Sequence, residues 1–178
     1  MPINIYGGGA RTNENGLKFE QETSLADALR DAGYYINPNG TVYLGDQEIG
    51  IIGSKHKLYS RILEPNGVYW DDYISKVMYP DEAFWNYANN TIYIIEKKFQ
   101  HVSGTVDEKL QTCDFKKKQY CKLFSAMGCE TEYIYVCNDW FAQECYADVH
   151  EYIYSVGCHI FFNEIPLEFL NLPLAEQE

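Results

Sequence analysis

The sequence predicts an α/β (α+β) domain in which a mixed central β-sheet is flanked by helices. Three observations predict it. Apolar residues recur at helical spacing in segments that stop at Gly33, Gly128 and Gly157, as C-terminal glycines stop helices. The run Thr91-Ile92-Tyr93-Ile94-Ile95 is β-branched and almost wholly apolar, as a central strand buried on both faces is. The order that results, helix, hairpin strands, helix, strand, helix, strand, belongs to a sheet with helical connections. The chain has 178 residues, 46% hydrophobic and 22% charged, which suits one domain (1–178) with a sizeable core and excludes a disordered chain.

Each element has a local reason. The first ten residues are glycine-rich, but no Gly-Lys-Ser/Thr follows, which excludes a P-loop. Residues 14–32 read as a helix, with Leu17, Leu25, Ala28, Leu29 and Ala32 as its stripe and Gly33 as its stop. Pro-Asn-Gly turns at 38–40 and 65–67 then bracket short strand-like runs, Thr41–Leu44 and Ile49–Ile52, so residues 35–79 read as a β-rich insertion. Residues 83–87, a turn at 88–90 and residues 91–95 form a hairpin. Residues 106–127 read as a helix with Val106, Leu110, Cys113, Tyr120, Phe124 and Met127 on one stripe. A strand at 133–137, a helix from Ala142 to Gly157 carrying Cys145, Tyr146, Val149, Tyr152 and Ile153, and a strand at 159–162 complete the chain.

Composition excludes several function classes. A formal charge of −12, from 14 Lys+Arg against 26 Asp+Glu, argues against a protein that coats nucleic acid indiscriminately. Nothing approaches the eighteen apolar residues of a membrane span, and no leader peptide is read at the N-terminus, so a cytoplasmic protein without membrane contact is expected. The Asn39 and Asn89 sequons therefore read as turn residues. Cys113, Cys121, Cys129, Cys137 and Cys145 follow one another at intervals of eight, with Cys158 beyond, which matches no zinc or redox motif. They read as buried free thiols. The four histidines do not pair at ligand spacing, and no Gly-x-Ser-x-Gly elbow occurs, so a zinc nuclease or a serine nucleophile has no support.

Chemistry concentrates where the buried strand ends in Glu96-Lys97-Lys98-Phe99-Gln100. Alternation places Glu96, Lys98 and Gln100 on one face and Lys97 and Phe99 on the other. Pro80-Asp81 stands at the start of the partner strand, so antiparallel pairing brings Asp81 back beside Glu96. Two carboxylates converging at a strand end suit a hard cation such as Mg²⁺. A lysine on the same face suits orienting a water or stabilising charge on a phosphorane. Asp107-Glu108-Lys109 and Asp114-Phe115-Lys116 share the acidic-x-Lys spacing or its like, but neither ends a buried strand.

Pro80-Asp81 followed by Glu96-Lys97-Lys98 resembles the signature of the PD-(D/E)xK nuclease superfamily, the restriction-endonuclease-like fold. The continuation Glu96-x-Lys98-x-Gln100 and Val102-Ser103-Gly104-Thr105-Val106 is similar to family segments in which the catalytic strand passes through a Ser-Gly turn into a helix. Asn15-Gly16-Leu17-Lys18-Phe19-Glu20 resembles the family's first core helix. The resemblance covers roughly residues 14–33 and 80–163, and residues 35–79 have no counterpart in it. It implies that Asp81 and Glu96 bind Mg²⁺, Lys98 is the catalytic lysine, Glu20 is an accessory carboxylate, and Gln100 positions a phosphate or the water. Asp71 and Asp72 are alternatives for the first metal carboxylate. The implied reaction is hydrolysis of a DNA phosphodiester by a metal-activated water. A type II restriction enzyme is the expectation, a homodimer on double-stranded DNA with a possible cognate DNA methyltransferase. A junction resolvase, a repair nuclease, and a catalytically silent DNA-binding or protein-interaction domain of the same fold are the alternatives.

The charge is uneven. Residues 97–122 carry seven Lys and three acids, whereas residues 123–178 carry ten acids and no Lys or Arg. DNA is expected along Ser103, Gly104, Thr105 and Lys109, where helix-start N–H groups would hold a phosphate. It is also expected at Lys55, Lys57 and Arg61 in the β-rich stretch, with Tyr59 or Arg61 as groove contacts. Lys116, Lys117 and Lys118 occupy consecutive helix positions, which cannot all face one ligand.

Overall fold

The computed structural model describes residues 15–175, so the glycine-rich opening lies outside the described residues. The architecture is α+β. A mixed seven-stranded sheet runs β2 (Tyr35–Ile36), β3 (Thr41–Leu44), β4 (Gln47–Ile52), β5 (Glu82–Asn86), β6 (Thr91–Lys98), β7 (Glu130–Cys137), β8 (His159–Phe162), in that spatial order. Pairing is antiparallel from β2 to β6 and parallel from β6 through β7 to β8. The switch has a simple cause. A tight turn at residues 87–90 can return the chain only antiparallel, whereas the later strands are joined through helices that carry it back to the same end of the sheet.

One face of the sheet packs Ile92, Ile94, Tyr133 and Tyr135 in one cluster with Tyr120, Leu123 and Phe124 of α3 (Cys113–Ser125), Ile153 of α4 (Ala147–Ser155), and Leu58 and Ile62 from the helical segment before β5. The other packs Phe84, Tyr93, Ile95, Ile134 and Val136 against Leu25, Ala28 and Leu29 of α1 (Leu25–Asp31). A two-stranded ribbon of β1 (Gly16–Lys18) and β9 (Glu164–Pro166) closes that side through Leu17 and Ile165. The strand Thr91–Glu96 is buried along its whole length, as a strand covered on both faces must be.

Four sequence expectations are corrected. The helix over 14–32 occupies only α1, because Ser24 caps it by accepting from the Asp27 N–H at 3.1 Å, and residues 18–24 carry too few apolar positions at helical spacing to extend it backwards. Leu17 is buried on a strand instead. The β-rich stretch 35–79 is no separate excursion over 35–52, since Gly50, Ile51 and Ile52 pair with Asn86, Trp85 and Phe84 and extend the main sheet. Its remainder combines short helical pieces with irregular backbone, the pieces being a π-helical turn at Tyr59–Leu63 and tight turns at Glu64–Asn66 and Trp70–Asp72. The helix over 106–127 is broken into α2 (Val106–Lys109), a tight turn Leu110–Thr112, and α3. The helix from Ala142 starts only at Ala147, because Gln143 is extended (φ −64°, ψ 149°). The three glycine stops hold, with Gly33, Gly128 and Gly157 in the left-handed region at φ 93°, 67° and 72°. Of the cysteines, Cys113, Cys129, Cys137 and Cys158 are buried free thiols, Cys121 is half-buried and Cys145 is exposed.

Among the described residues no helix is long and apolar enough to cross a membrane.

Candidate active site

The β5–β6 hairpin builds the site. Its register pairs Glu82 with Ile95, and one step further sets Asp81 opposite Glu96. The Asp81 carboxylate reaches over the strand end and accepts the Lys97 N–H at 2.9 Å through Oδ2. Glu96 is 6% exposed, and the Lys98 ammonium donates to its Oε2 at 3.2 Å. Register thus sets Asp81, Glu96 and Lys98 at one strand end, where the Asp81 charge acts on Glu96, while the Asp81 carboxylate itself turns to the Lys97 N–H.

Beneath Glu96 lies a floor of tyrosines from β7 and α3. Tyr133 stands edge-on to Tyr135 at 5.4 Å and stacks against Tyr120 at 6.3 Å. This floor keeps water from the carboxylate, and burial raises the Glu96 pKa above its ordinary range, an effect that the nearby positive charges of Lys98 and Lys116 oppose. In return, the negative charge of Glu96 adds to burial in raising the Tyr120 and Tyr133 hydroxyls. Gln100 is fixed just past the strand. Its N–H donates to Asn138 Oδ1 at 3.2 Å, its carbonyl accepts from Asn138 Nδ2 at 2.7 Å, and its Nε2 donates to Asp107 Oδ1 at 3.3 Å. Asn138 therefore ties the ends of β6 and β7 together. No sequence signal marks it, because an asparagine after a strand ordinarily reads as a turn.

The opposite face of the same hairpin also carries a carboxylate and a lysine. Glu82 Oε1 accepts the Leu25 N–H at 3.0 Å, and Lys97 Nζ donates to the Thr23 carbonyl at 2.8 Å. An open cleft of about 480 Å³ runs along this side and is lined by Glu22, Lys55, Asp81, Glu82, Lys97 and Phe99 among others. Asp81 is the one member of the acidic-lysine set that borders it.

The other expected residues are placed as follows. Glu20 lies in an exposed turn before α1 rather than on a helix, and its neighbour Glu22 borders the cleft instead. Asp71 and Asp72 are exposed in the Trp70–Asp72 turn, outside the hairpin strands. Ser103, Gly104, Thr105 and Lys109 are exposed, but the helix they precede is four residues long, so any phosphate there would meet one helical turn. Lys55 and Lys57 are exposed, while the Arg61 guanidinium donates to the carbonyls of Pro38 at 3.2 Å and Ile52 at 3.3 Å and fixes the turn at Gly40. Tyr59 is corrected as a groove contact. It is 5% exposed, and its hydroxyl donates to the Met78 carbonyl at 2.5 Å. The three consecutive lysines diverge as helix geometry requires. The charge of Lys116 acts on Glu96, Lys117 Nζ donates to the Gly157 carbonyl at 2.6 Å, and Lys118 pairs with Asp114 at 2.8 Å.

No cluster of three or more His, Cys, Asp or Glu side chains suited to a metal occurs among the described residues. The chain matches no family model, no curated protein and no solved structure.

Proposed function

We propose that this protein is a Mg²⁺-dependent endonuclease that hydrolyses DNA phosphodiester bonds. The observation that carries the reading is the gathering of Asp81, Glu96 and Lys98 at the end of β6, with Glu96 desolvated, bonded to Lys98 at 3.2 Å and within reach of the Asp81 charge. The order of α1, the antiparallel strands β4, β5 and β6, α3 and the parallel β7 is also compatible with a restriction-endonuclease-like core.

The donor set fits Mg²⁺. Glu96 is a buried carboxylate that the nearby positive charges only partly compensate, and Asp81 stands opposite it with Oδ1 making no hydrogen bond among the described residues. Two carboxylates are what Mg²⁺ ordinarily takes from a protein, the remaining positions going to water and substrate phosphate. Asp81 and Glu96 would hold the ion, which when bound supplies a water of lowered pKa and polarises the phosphate.

The chain's own groups do the rest. Lys98 holds the Glu96 carboxylate in place and carries the positive charge that orients the attacking water and offsets charge on the phosphorane. Gln100, immobilised through Asn138 and Asp107, stands beyond Lys98 and positions a phosphate oxygen or the water. The tyrosine floor restricts solvent beneath Glu96, which strengthens each electrostatic contact above it.

The test is conversion of supercoiled plasmid to nicked and linear forms with Mg²⁺ and with EDTA. Cleavage that EDTA abolishes is expected. Protein that binds DNA tightly and leaves every form intact with Mg²⁺ would instead be a silent DNA-binding relative. Within the nuclease class, the restriction reading adds a homodimer, duplex DNA and a cognate methyltransferase. It requires discrete fragments from a digested phage genome, whereas a junction or repair nuclease requires cleavage keyed to DNA structure.

A further inference from the structure

Two residues near Asp81 are anchored by the fold yet keep their side chains open to solvent. The first is Lys55. Its backbone sits in the left-handed region at φ 50°, a conformation that glycine or asparagine adopts far more readily than lysine. The Lys55 N–H donates to the Pro80 carbonyl at 2.9 Å, which anchors this loop to the residue before Asp81. Its side chain is exposed on the wall of the 480 Å³ cleft that Asp81 borders, and it makes no hydrogen bond or ion pair among the described residues. The other cleft cation, Lys97, is already bonded to the Thr23 carbonyl.

The second is Tyr79, two residues before Asp81 and 57% exposed. It is not a loose surface ring. The buried Tyr59 beneath it clamps the preceding residue twice, its hydroxyl donating to the Met78 carbonyl at 2.5 Å and accepting the Met78 N–H at 3.2 Å. The two rings meet edge-on, 6.0 Å apart at 79°. The fold thus anchors the backbone just before Tyr79 and presents its ring, edge-on to Tyr59, with more than half its surface open.

We infer that Lys55 and Tyr79 grip one nucleotide beside the scissile phosphate, Lys55 by its phosphate and Tyr79 by stacking on its base. The inference rests on the nuclease reading for the position of the cut. It adds a substrate class, because a base can stack on a side chain only when it has left its own helical stack. The DNA taken at this site is therefore unpaired at the cut, as in a single strand, a flap or a junction, which favours the repair and junction alternatives over restriction of intact duplex. The carboxylates of Glu22, Asp81 and Glu82 also border the cleft, so the phosphate sits at the Lys55 rim rather than deep in it. Two of them already have partners, Asp81 in the Lys97 N–H and Glu82 in the Leu25 N–H.

The test is binding of a fluorescein-labelled oligonucleotide, single-stranded or as a blunt duplex of the same sequence, to the full chain in EDTA. Wild type is expected to prefer the single strand. Tyr79→Ala should weaken that binding about tenfold while Tyr79→Phe keeps it, since stacking needs the ring and not the hydroxyl. Lys55→Gly should reduce the slope of log affinity against log salt by about one. It should also raise Tm, because glycine relieves the left-handed backbone. A variant that is more stable and binds less well has lost a ligand contact, not its fold. Equal binding of both DNA forms, a Tyr79→Ala protein that binds as wild type does, or an unchanged salt slope in Lys55→Gly would overturn the inference. Absence of binding by wild type would overturn it as well. Its failure is separable from failure of the nuclease reading. Wild type that grips the single strand but never cleaves with Mg²⁺ refutes the nuclease alone, and cleavage untouched by either substitution refutes the grip alone.

Discussion

The two faces of the β5–β6 hairpin carry the same parts and use them differently. On one face, Glu96 and Lys98 bond to each other over a floor of tyrosines. On the other, Glu82 and Lys97 each bond to the backbone leading into α1, at Leu25 N and Thr23 O. Glu82 and Lys97 satisfy a helix start and its approach, which is a structural task with backbone partners. Glu96 and Lys98 answer no backbone group, and burial raises the pKa of both carboxylates. A buried carboxylate with a lysine nearby is therefore not a site in itself. What distinguishes one is that its groups are free to exchange their partner for a ligand.

The largest effect that can break this comparison is on activity. Asp81→Asn and Lys98→Met should each lower the rate of plasmid cleavage by at least about a hundredfold, the scale of removing one preorganised electrostatic group. Far-UV circular dichroism should be unchanged. Retained cleavage in either variant would place the chemistry elsewhere.

Next comes stability on the opposite face. Glu82→Ala leaves the Leu25 N–H without its acceptor in a buried setting and should cost about 1–3 kcal/mol in urea denaturation, with cleavage kept. Glu82→Gln retains an acceptor and should cost less. If Glu82→Ala abolishes cutting at full stability, the division between a structural face and a chemical face is wrong.

Replacing the other pair should act in the reverse sense. The double variant Glu96→Gln with Lys98→Met exchanges a desolvated ion pair for neutral groups of similar volume, and stability should hold or rise by about 1 kcal/mol while activity disappears. The pH dependence carries the same signature. Because burial raises the Glu96 pKa, the folded state binds that proton more tightly than the unfolded chain does. Its contribution to stability is fully present below the unfolded carboxylate value and is lost as pH rises through the higher folded value. Denaturation across that window should therefore show a smaller decline in the double variant than in wild type.

Much of this was legible in the sequence, and the physical reason differs by region. The hairpin, the face shared by Glu96 and Lys98, and the return of Asp81 all follow from period-two alternation and a short turn, which are local rules. The glycine stops follow from backbone sterics alone. The first helix runs too far in the sequence reading because Leu17 is as apolar as Leu25, and only its pairing with Ile165, far along the chain, makes its segment a strand. The stretch 35–52 reads as separate because strand pairing across an intervening segment of some thirty residues leaves no local mark. Within the site, the clamp made by Asn138 and the structural employment of Glu82 and Arg61 depend on tertiary partners. Charge type alone could not distinguish Glu82 from Glu96.

The smallest effect tests that distinction most finely. Lys97→Met removes the bond from Nζ to the Thr23 carbonyl but keeps the aliphatic stem that packs along the strand end. The Thr23 carbonyl belongs to a half-buried residue that water can reach, so solvent screening discounts the charged hydrogen bond and the loss should be about 1 kcal/mol. Lys97 is adjacent in sequence to both Glu96 and Lys98, yet strand alternation turns it away from them, so cleavage and its pH profile should be those of wild type. The measurement is paired urea denaturation and plasmid cleavage on one preparation. A Lys97→Met protein that loses cleavage as fully as Lys98→Met would show that the two faces act together through Asp81, whose carboxylate already accepts the Lys97 N–H.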